Sequence, residues 1–257
     1  MVSVPVLFMR HVFPGVCIAC ATRLAPHETT DLCPYCRADL PRVQNPCPRC
    51  ALPRPIDHAP EWLSPAGSPH CQTCLTTPPA FSRAIVPLRY EGLVTTWIHS
   101  LKNHLGMVEG RVLGGLLAEA AAGLVGDARA PDLLIPVPLR WSRLALRGHN
   151  QALTLGRHVA RALGVPIAPN AVRRAGRAPS QRGLGREARR GNLSGVFTAS
   201  PVVAGRRVAI VDDVMTTGST AEALASTLLS AGAHDVQVLA VARATLLQDG
   251  QHGIPTL

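Results

Sequence analysis

Thirteen consecutive residues, from Val208 to Thr220, constrain the fold of this chain more than any other part of its sequence. They begin with four apolar residues, which is typical of a buried parallel strand. Two carboxylates, Asp212 and Asp213, stand at the end of that strand, and small hydroxyl residues with Gly218 follow before a helical segment begins. This order predicts a strand, a loop and a helix N-terminus at the sheet edge where α/β proteins bind ligands.

The same run predicts a site for a phosphorylated sugar. Loop amides, hydroxyl groups and the dipole at a helix N-terminus all favour a phosphate, and the two carboxylates are placed to accept hydrogen bonds from neighbouring sugar hydroxyls. The run contains neither the Gly-Lys-Ser/Thr of a Walker A loop nor a G-x-G-x-x-G dinucleotide motif. The alternative is a structural strand, turn and helix with an acidic turn.

Eight cysteines between residues 17 and 74 form four C-x-x-C pairs: Cys17/Cys20, Cys33/Cys36, Cys47/Cys50 and Cys71/Cys74. A two-residue gap lets both thiolates of one turn reach one tetrahedral metal, so two pairs make a site of four thiolates. The spacings suit two zinc ribbons in sequence, and interleaved pairing is the alternative. Both zinc ions are expected to be structural, because sulfur fills all four positions. Disulfides or a redox C-x-x-C are the competing interpretations.

Basic residues are unevenly distributed along the chain, which carries a net charge of +10. Residues 140–190 hold twelve arginines against one acid, Glu187. Such a block needs an anionic partner or bulk solvent, and phosphates, pyrophosphate and single-stranded DNA are the candidate partners. Lys102 is the only lysine among the 26 basic residues, which suggests a place where a compact ammonium is required.

The length allows one α/β domain and a small extra module, with zinc ribbons over residues 1–79 and the α/β domain over residues 80–257. Strands alternating with helices predict a parallel sheet. Strands are expected at Ala84–Arg89, Asp132–Val137, Gly195–Ala199, Arg207–Val211 and Val236–Ala242, and helices at Leu93–Leu105, Arg111–Val125, His149–Leu163 and Ser219–Ala231. No apolar run is long enough to cross a bilayer, so we expect no membrane insertion and a cytoplasmic location.

The run from Val208 to Thr220 resembles the binding motif of type I phosphoribosyltransferases, which use phosphoribosyl pyrophosphate (PRPP). With the C-x-x-C pairs and several further segments, the chain resembles the ComF/GntX family over nearly its whole length. These segments are Tyr90-Glu-Gly92, Leu101-Lys102, Leu134–Leu139, Arg147–Gln151, Pro179–Gln181, Arg189–Asn192 and Phe197. One departure is His149, which takes a place usually held by Phe and adds a polar edge to the ring.

The resemblance implies a type I phosphoribosyltransferase fold behind an N-terminal double zinc ribbon, with PRPP as ligand and Mg²⁺ as cofactor. In this scheme Asp212 and Asp213 hold the ribose hydroxyls, and Arg147 joins them in the catalytic set. The 5′-phosphate is assigned to Thr216, Thr217, Gly218, Ser219 and Thr220. The pyrophosphate is assigned to Pro136, Val137, Pro138, Lys102 and Arg147. Asn150 and Gln151 orient the ligand or cap a helix, and Gln181 and Arg182 belong to a lid over residues 176–192.

The resulting expectation is a Mg²⁺-dependent, phosphoribosyltransferase-like protein that acts in or near DNA uptake, with its acceptor unidentified. The alternative is a protein that handles single-stranded DNA without catalysis and keeps the PRPP site as a sensor or relic. Other competence proteins are a third class of partner, with the zinc module as their docking platform.

Overall fold

The computed structural model describes residues 14–28, 30–54, 68–103, 106–174 and 196–245. Helices in these ranges are α1 (Pro34–Ala38), α2 (Gln72–Thr76), α3 (Gly92–Leu101), α4 (Met107–Ala121), α5 (Trp141–Arg147), α6 (Gln151–Leu163) and α7 (Ser219–Ser230). Strands are β1 (Arg83–Ile85), β2 (Leu88–Arg89), β3 (Leu133–Pro136), β4 (Val172–Arg174), β5 (Phe197–Ala199), β6 (Arg207–Met215) and β7 (Asp235–Arg243). Short 3-10 turns cover Ala122–Leu124 and Pro201–Val203.

A parallel sheet in the order β1-β7-β6-β3 forms the centre of the protein, and β2 also pairs with β7. The antiparallel pair β4-β5 stands apart from it. The predicted parallel α/β fold is therefore confirmed. The single strand expected over Ala84–Arg89 is wrong in detail, because it divides into β1 and β2 at residues 86–87, where Pro87 has no N–H to donate to a ladder.

The central strand β6 is longer than its apolar run predicts. It continues through Asp212 and Asp213 to Met215, because its ladder with β7 continues past the apolar residues, with Asp212 opposite Ala240. The two carboxylates therefore lie on the last part of the strand, and the loop begins only after Met215. Backbone pairing consequently holds both carboxylates in place.

Two apolar layers cover the two faces of the sheet. Alternate residues of β6 enter different layers, with Val208 and Ile210 in one and Ala209 and Val211 in the other, as the period of two in a strand requires. Helix α7 packs in the first layer, and helices α3 and α4 pack in the second.

Each cysteine-rich segment contributes to one of these layers. Cys47, Cys50 and Cys74 belong to the layer of α7, while Cys17 and Cys33 belong to the layer of α3 and α4. The boundary between residues 79 and 80 stays a prediction, and apolar contacts cross it on both faces.

Within the described ranges, none of the helices combines the length and apolar character needed to cross a bilayer.

Candidate functional site

A cavity of about 200 Å³ opens at the carboxyl ends of β3 and β6. It brings together groups from the loop after β3, from both helices that follow, and from the last part of β6. Its lining comprises Lys102, Val137, Pro138, Leu139, Arg140, Arg143, Arg147, Asn150, Gln151, Ala152, Arg174, Asp212, Asp213 and Thr220. Within the described part of the chain, five basic side chains thus face two carboxylates, which suits a ligand with both anionic groups and hydroxyls.

Each of the two carboxylates accepts a hydrogen bond from the backbone amide of the next residue. The amide of Asp213 donates to Asp212 Oδ1 at 2.9 Å, and the amide of Val214 donates to Asp213 Oδ1 at 2.8 Å. Lys102 Nζ lies 3.4 Å from Asp213 Oδ2. Burial raises the pKa of Asp212 well above its usual range, the charge of Asp213 raises it further, and Lys102 opposes both. Hydrogen-bond donors or a cation that enter the cavity would favour the charged form of Asp212 again.

The loop after β6 reverses direction at Gly218, whose φ of +80° lies in the left-handed region. Thr217 Oγ1 donates to Ser219 Oγ at 2.9 Å and accepts from the Ser219 amide at 3.3 Å. Helix α7 starts at Ser219, and its first amides have no carbonyl one turn earlier to bond. Thr220 and Asp212 line both the main cavity and a small pocket under this loop, so the loop and the carboxylates form one continuous surface.

Three arginines of the cavity lie along α5 or just before it. Arg140, Arg143 and Arg147 are spaced three and four residues apart, so they share one helix face. A fourth, Arg174, places its guanidinium 5.4 Å from the centre of the Phe197 ring. Burial lowers the pKa of Arg174, and Arg140 and Arg143 lower it further. This concentration of positive charge is relieved by an anion.

Of these arginines, only Arg147 was predicted as a site residue. The spacing of Arg140, Arg143 and Arg147 was the signal that would have identified the others. It was missed because α5 was not predicted. This helix buries none of its residues, so it has no apolar period for a sequence to show.

His149 makes polar contacts through both nitrogens of its ring. Its Nδ1 lies 2.9 Å from the carbonyl oxygen of Arg147, and its Nε2 lies 2.8 Å from the carbonyl oxygen of Leu101. Leu101 precedes Lys102, so the ring ties together the two chain segments that carry Lys102 and Arg147. The polar edge of His149 therefore positions two cations of the cavity.

Asn150 and Gln151 both line the cavity, and they do so differently. Asn150 is the N-cap of α6: its Oδ1 accepts from the Ala152 amide at 3.0 Å, and its Nδ2 donates to the Val137 carbonyl at 3.0 Å. Gln151 is 2% exposed, and its Nε2 has no hydrogen-bond partner among the described residues. Asn150 thus caps the helix, whereas Gln151 has a buried donor that none of the described residues accepts from.

The remaining predicted site residues lie in several places. Pro136 is the last residue of β3, one position before the cavity lining. Thr216 and Gly218 line the small pocket under the loop, while Thr217 and Ser219 are exposed on it. Gln181 and Arg182, with the lid over residues 176–192, lie outside the described residues.

Two clusters of four cysteines complete the candidate sites. They are Cys17, Cys20, Cys33 and Cys36, and Cys47, Cys50, Cys71 and Cys74, with all sulfur atoms of a cluster within 4.8 Å of one another. Pairing is therefore sequential, and the interleaved alternative is wrong. Four sulfurs bound at about 2.3 Å to one tetrahedral Zn²⁺ lie about 3.8 Å apart. The observed Cys20–Cys33 and Cys50–Cys71 separations are 3.9 and 3.5 Å.

The chemistry of the clusters also fits a divalent cation. Hydrogen bonds from Thr22 lower the pKa of Cys20 to about 6, while the hydrogen bond to Cys20 and neighbouring sulfurs raise the pKa of Cys36 to about 12. Four thiols so close together resist full deprotonation, and a bound Zn²⁺ removes that repulsion. Amides of Cys33 and Cys71 donate to Cys17 Sγ and Cys47 Sγ at 3.4 and 3.3 Å, as expected around thiolate ligands.

Known proteins resemble this chain in sequence. A phosphoribosyl transferase domain matches residues 149–252. DNA utilization protein YhgH of Escherichia coli (strain K12) is 32% identical over 234 residues, which cover 90% of this chain and 97% of that protein. Competence protein F of Haemophilus influenzae is 34% identical over 180 residues, which cover 68% of this chain and 79% of that protein.

Solved structures give a more distant likeness. The allosteric regulatory enzyme of purine biosynthesis matches with a TM-score of 0.35 and 22% identity, over 56% of this chain and 26% of that one. A purine phosphoribosyltransferase from Pyrococcus horikoshii matches with a TM-score of 0.32 and 20% identity, over 51% of this chain and 82% of that one.

Proposed function

Because the chain belongs to the ComF/GntX family, with a phosphoribosyltransferase domain and relatives named for competence and DNA utilization, we propose that it binds PRPP in the cavity beside β6. We further propose that it transfers the phosphoribosyl group with the help of Mg²⁺, in the cytoplasm and in or near DNA uptake. The observation that carries the proposal is that one continuous surface holds a carboxylate pair, a phosphate-type loop and five basic side chains.

Each part of PRPP matches a different part of this surface. The 5′-phosphate suits the loop from Thr216 to Thr220, where hydroxyls, the first amides of α7 and a helix dipole converge. The ribose hydroxyls suit Asp212 and Asp213, because carboxylates accept the two hydrogen bonds that neighbouring hydroxyls donate. Thr220 belongs to both parts of the surface, so one ligand spans them.

The pyrophosphate end suits the opposite side of the cavity. Val137 and Pro138 line the cavity there, Lys102 lies beside Asp213, and Arg147 comes from the end of α5. A phosphate oxygen near Gln151 would satisfy the buried Nε2 that has no partner within the described residues.

Transfer breaks the bond between the anomeric carbon and pyrophosphate, which leaves with the electron pair, and forms a bond from that carbon to a nucleophilic atom of the acceptor. The ring gains positive charge as the first bond lengthens. Asp212 or Asp213 stabilises that charge from the ribose side, while Lys102 and Arg147 stabilise the negative charge on the departing pyrophosphate. Mg²⁺ prefers phosphate and carboxylate oxygens, so Asp212 and Asp213 are the residues to hold it, and it would neutralise charge on the phosphates.

Calorimetric titration with PRPP and Mg²⁺ tests this proposal. Asp212→Asn should weaken PRPP binding by about tenfold or more, since it removes an acceptor of charge-assisted hydrogen bonds worth about 1.5–3 kcal/mol. The matched control is Asp132→Asn, which changes a carboxylate that pairs with Arg207 at the other end of the sheet. Equal PRPP affinity in the wild type and Asp212→Asn would exclude the assigned role.

A second function, handling of single-stranded DNA, is favoured by the surface of α5. Trp141 and Leu146 are 81% and 79% exposed on the same helix that carries Arg143 and Arg147. An exposed indole beside a row of cations suits a base stacked next to its phosphate. Binding of single-stranded DNA should then weaken steeply with salt and lose affinity in Trp141→Ala. An affinity that stays flat between low and moderate salt excludes this function.

The two functions separate in one titration series. PRPP is titrated with and without single-stranded DNA, and DNA with and without PRPP. A PRPP affinity that is the same with and without DNA favours an enzyme with a small acceptor. If each ligand changes the affinity for the other, the two sites are coupled. We further propose that the cysteine-rich segment binds another competence protein. The test is whether the immobilised protein captures such a partner with Zn²⁺ present and fails to do so after Zn²⁺ is removed.

A further inference from the structure

Arg243, the last residue of β7, is buried at 3% exposure and connects two sites. Its Nε donates to the carbonyl of Cys50 at 3.1 Å, and its Nη1 donates to the carbonyl of Met215 at 2.7 Å and to that of Thr216. Cys50 belongs to the second cysteine cluster, and Met215 and Thr216 begin the phosphate-type loop. One rigid guanidinium therefore fixes the position of the loop relative to that cluster.

A second connection runs between the same two regions. Arg49, inside the C-x-x-C turn of Cys47 and Cys50, donates through Nη2 to the Pro79 carbonyl at 2.8 Å. The next residue, Ala80, donates its amide to Glu222 Oε2 at 2.8 Å. Glu222 lies in the first turn of α7, directly after the loop. Hydrogen bonds therefore link the second cysteine cluster to both the start and the end of the loop over residues 216–220.

The first cysteine cluster lies elsewhere and offers an internal comparison. Its segment is joined to helix α4 by ion pairs of Arg37 with Glu119 and of Asp31 with Arg111, on partly exposed surface. Its apolar residues pack in the layer of α3 and α4. These contacts stabilise the fold, yet they do not reach the residues that follow β6.

We propose that Arg243 is a positioning residue that couples metal occupancy of the Cys47–Cys74 cluster to the order of the loop over residues 216–220. Zn²⁺ holds the C-x-x-C turn and so fixes the Cys50 carbonyl. Without Zn²⁺, the four thiols are not bonded to a common ion and the turn is free to move. The buried guanidinium of Arg243 then moves with the Cys50 carbonyl, because losing that hydrogen bond would leave a buried charge uncompensated. The loop then loses its anchor at Met215 and Thr216. The ligand part of this coupling rests on the proposed function, because it takes the loop as the 5′-phosphate site.

Hydrogen–deuterium exchange on the full-length, zinc-loaded protein tests the coupling without any ligand. Cys71→Ser removes one ligand of the second cluster, and Cys20→Ser is the matched change in the first. Amides of residues 216–221 should exchange faster in Cys71→Ser and at the wild-type rate in Cys20→Ser. Equal rates in the two variants would overturn the proposal.

A conservative change at Arg243 tests the residue itself. Arg243→Lys keeps a positive charge and loses the planar fork that reaches several carbonyls at once. It should retain two zinc ions per chain by elemental analysis and still show fast exchange at residues 216–221. The control is Arg207→Lys. Arg207 also donates hydrogen bonds to two partners, Asp132 and the Ala128 carbonyl, at the opposite end of the sheet.

Binding of ribose 5-phosphate, measured by calorimetry, completes the test. Each of Cys71→Ser and Arg243→Lys should weaken binding by about fivefold or more, the lower end of coupling between linked sites. Combined, they should weaken it no further than the stronger single change, because both break the same connection. Additive losses would show separate structural effects and overturn the proposal.

The reciprocal measurement covers the case in which Cys71→Ser fails to fold. In the wild type, ribose 5-phosphate should slow exchange at residues 47–54 and leave residues 17–24 unchanged, and Arg243→Lys should remove that effect. An unchanged rate at residues 47–54 despite bound ligand would overturn the coupling. If ribose 5-phosphate does not bind the wild type at all, the proposed function fails, and the ligand-free exchange comparison still decides the coupling.

Discussion

Replacing Gly218 with Ala should damage the loop over residues 216–220 without touching the carboxylates. At φ +80° an L-residue is strained, at a cost of about 1–2 kcal/mol. The new Cβ would also lie 3.1 Å from Met215 Cε, a tight contact that the flexible methionine end relieves by a small shift. We therefore expect the backbone strain to dominate. The loop either keeps its shape and lowers stability, or changes shape and lowers affinity.

Two measurements together capture this cost. Urea unfolding gives the change in the free energy of unfolding, and calorimetry with ribose 5-phosphate gives the change in affinity. The losses should total about 1–2 kcal/mol, which corresponds to roughly a 5- to 30-fold change in an equilibrium constant. Stability should suffer more if the loop is rigid, and affinity should suffer more if it relaxes.

Gly115→Ala is the matched control, with the opposite expected sign. Gly115 lies inside α4, and beyond the helix's own backbone a Cβ there would meet no atom of the described residues within 4 Å. Alanine in a helix interior should stabilise the protein by about 0.5–1 kcal/mol relative to glycine. A Gly218→Ala protein with wild-type stability and wild-type affinity for ribose 5-phosphate would refute the reasoning about the loop.

Three further predictions follow from the site and the clusters. The pKa of Asp212 is raised in the folded protein, so this group lowers stability as pH rises above the pKa of an unfolded Asp, about 4. Asp212→Asn should therefore flatten the fall in the free energy of unfolding, measured in urea, as pH rises above that value. His149→Phe removes the contacts to Leu101 and Arg147, so PRPP affinity should fall by about 1–3 kcal/mol in calorimetry, and an unchanged affinity would show that the ring only fills space. A strong zinc chelator should release two zinc ions per chain and expose the thiols of both clusters to a thiol reagent, whereas thiols that react at the same rate before and after chelation would contradict zinc binding.

The parts of the fold that were predicted correctly are those with a strong local pattern. Four apolar residues identified the start of β6, and the expected end of α6 at Leu163 is confirmed, with Gly164 following it at a φ of +67°. The extension of β6 to Met215 follows from its pairing with β7. The local sequence of apolar residues and carboxylates does not show this pairing. Helix α5 and strand β4 were missed, since both lie in a basic stretch with few buried residues.

The candidate site was predictable to a similar degree. The carboxylate pair and the hydroxyl-rich loop were identified as one motif, because their contacts span only a few residues of chain. The meeting of Lys102 with Asp213, and the presence of Arg174 in the same cavity, depend on elements far apart in sequence. Their roles towards PRPP stay predictions until ligand binding is measured.

By itself the sequence determined which chemical groups this protein has to use: four C-x-x-C turns, two adjacent carboxylates and a loop that opens a helix. Such groups are encoded by spacing, because residues two to four apart have nearly fixed geometry in a turn, strand or helix. Tertiary structure alone decided which cysteine turns come together in one cluster, which cations face the carboxylates, and that Arg243 reaches both Cys50 and Thr216. Those contacts arise from strand order and the packing of layers on the sheet, which bring distant segments together and leave no local trace in the chain.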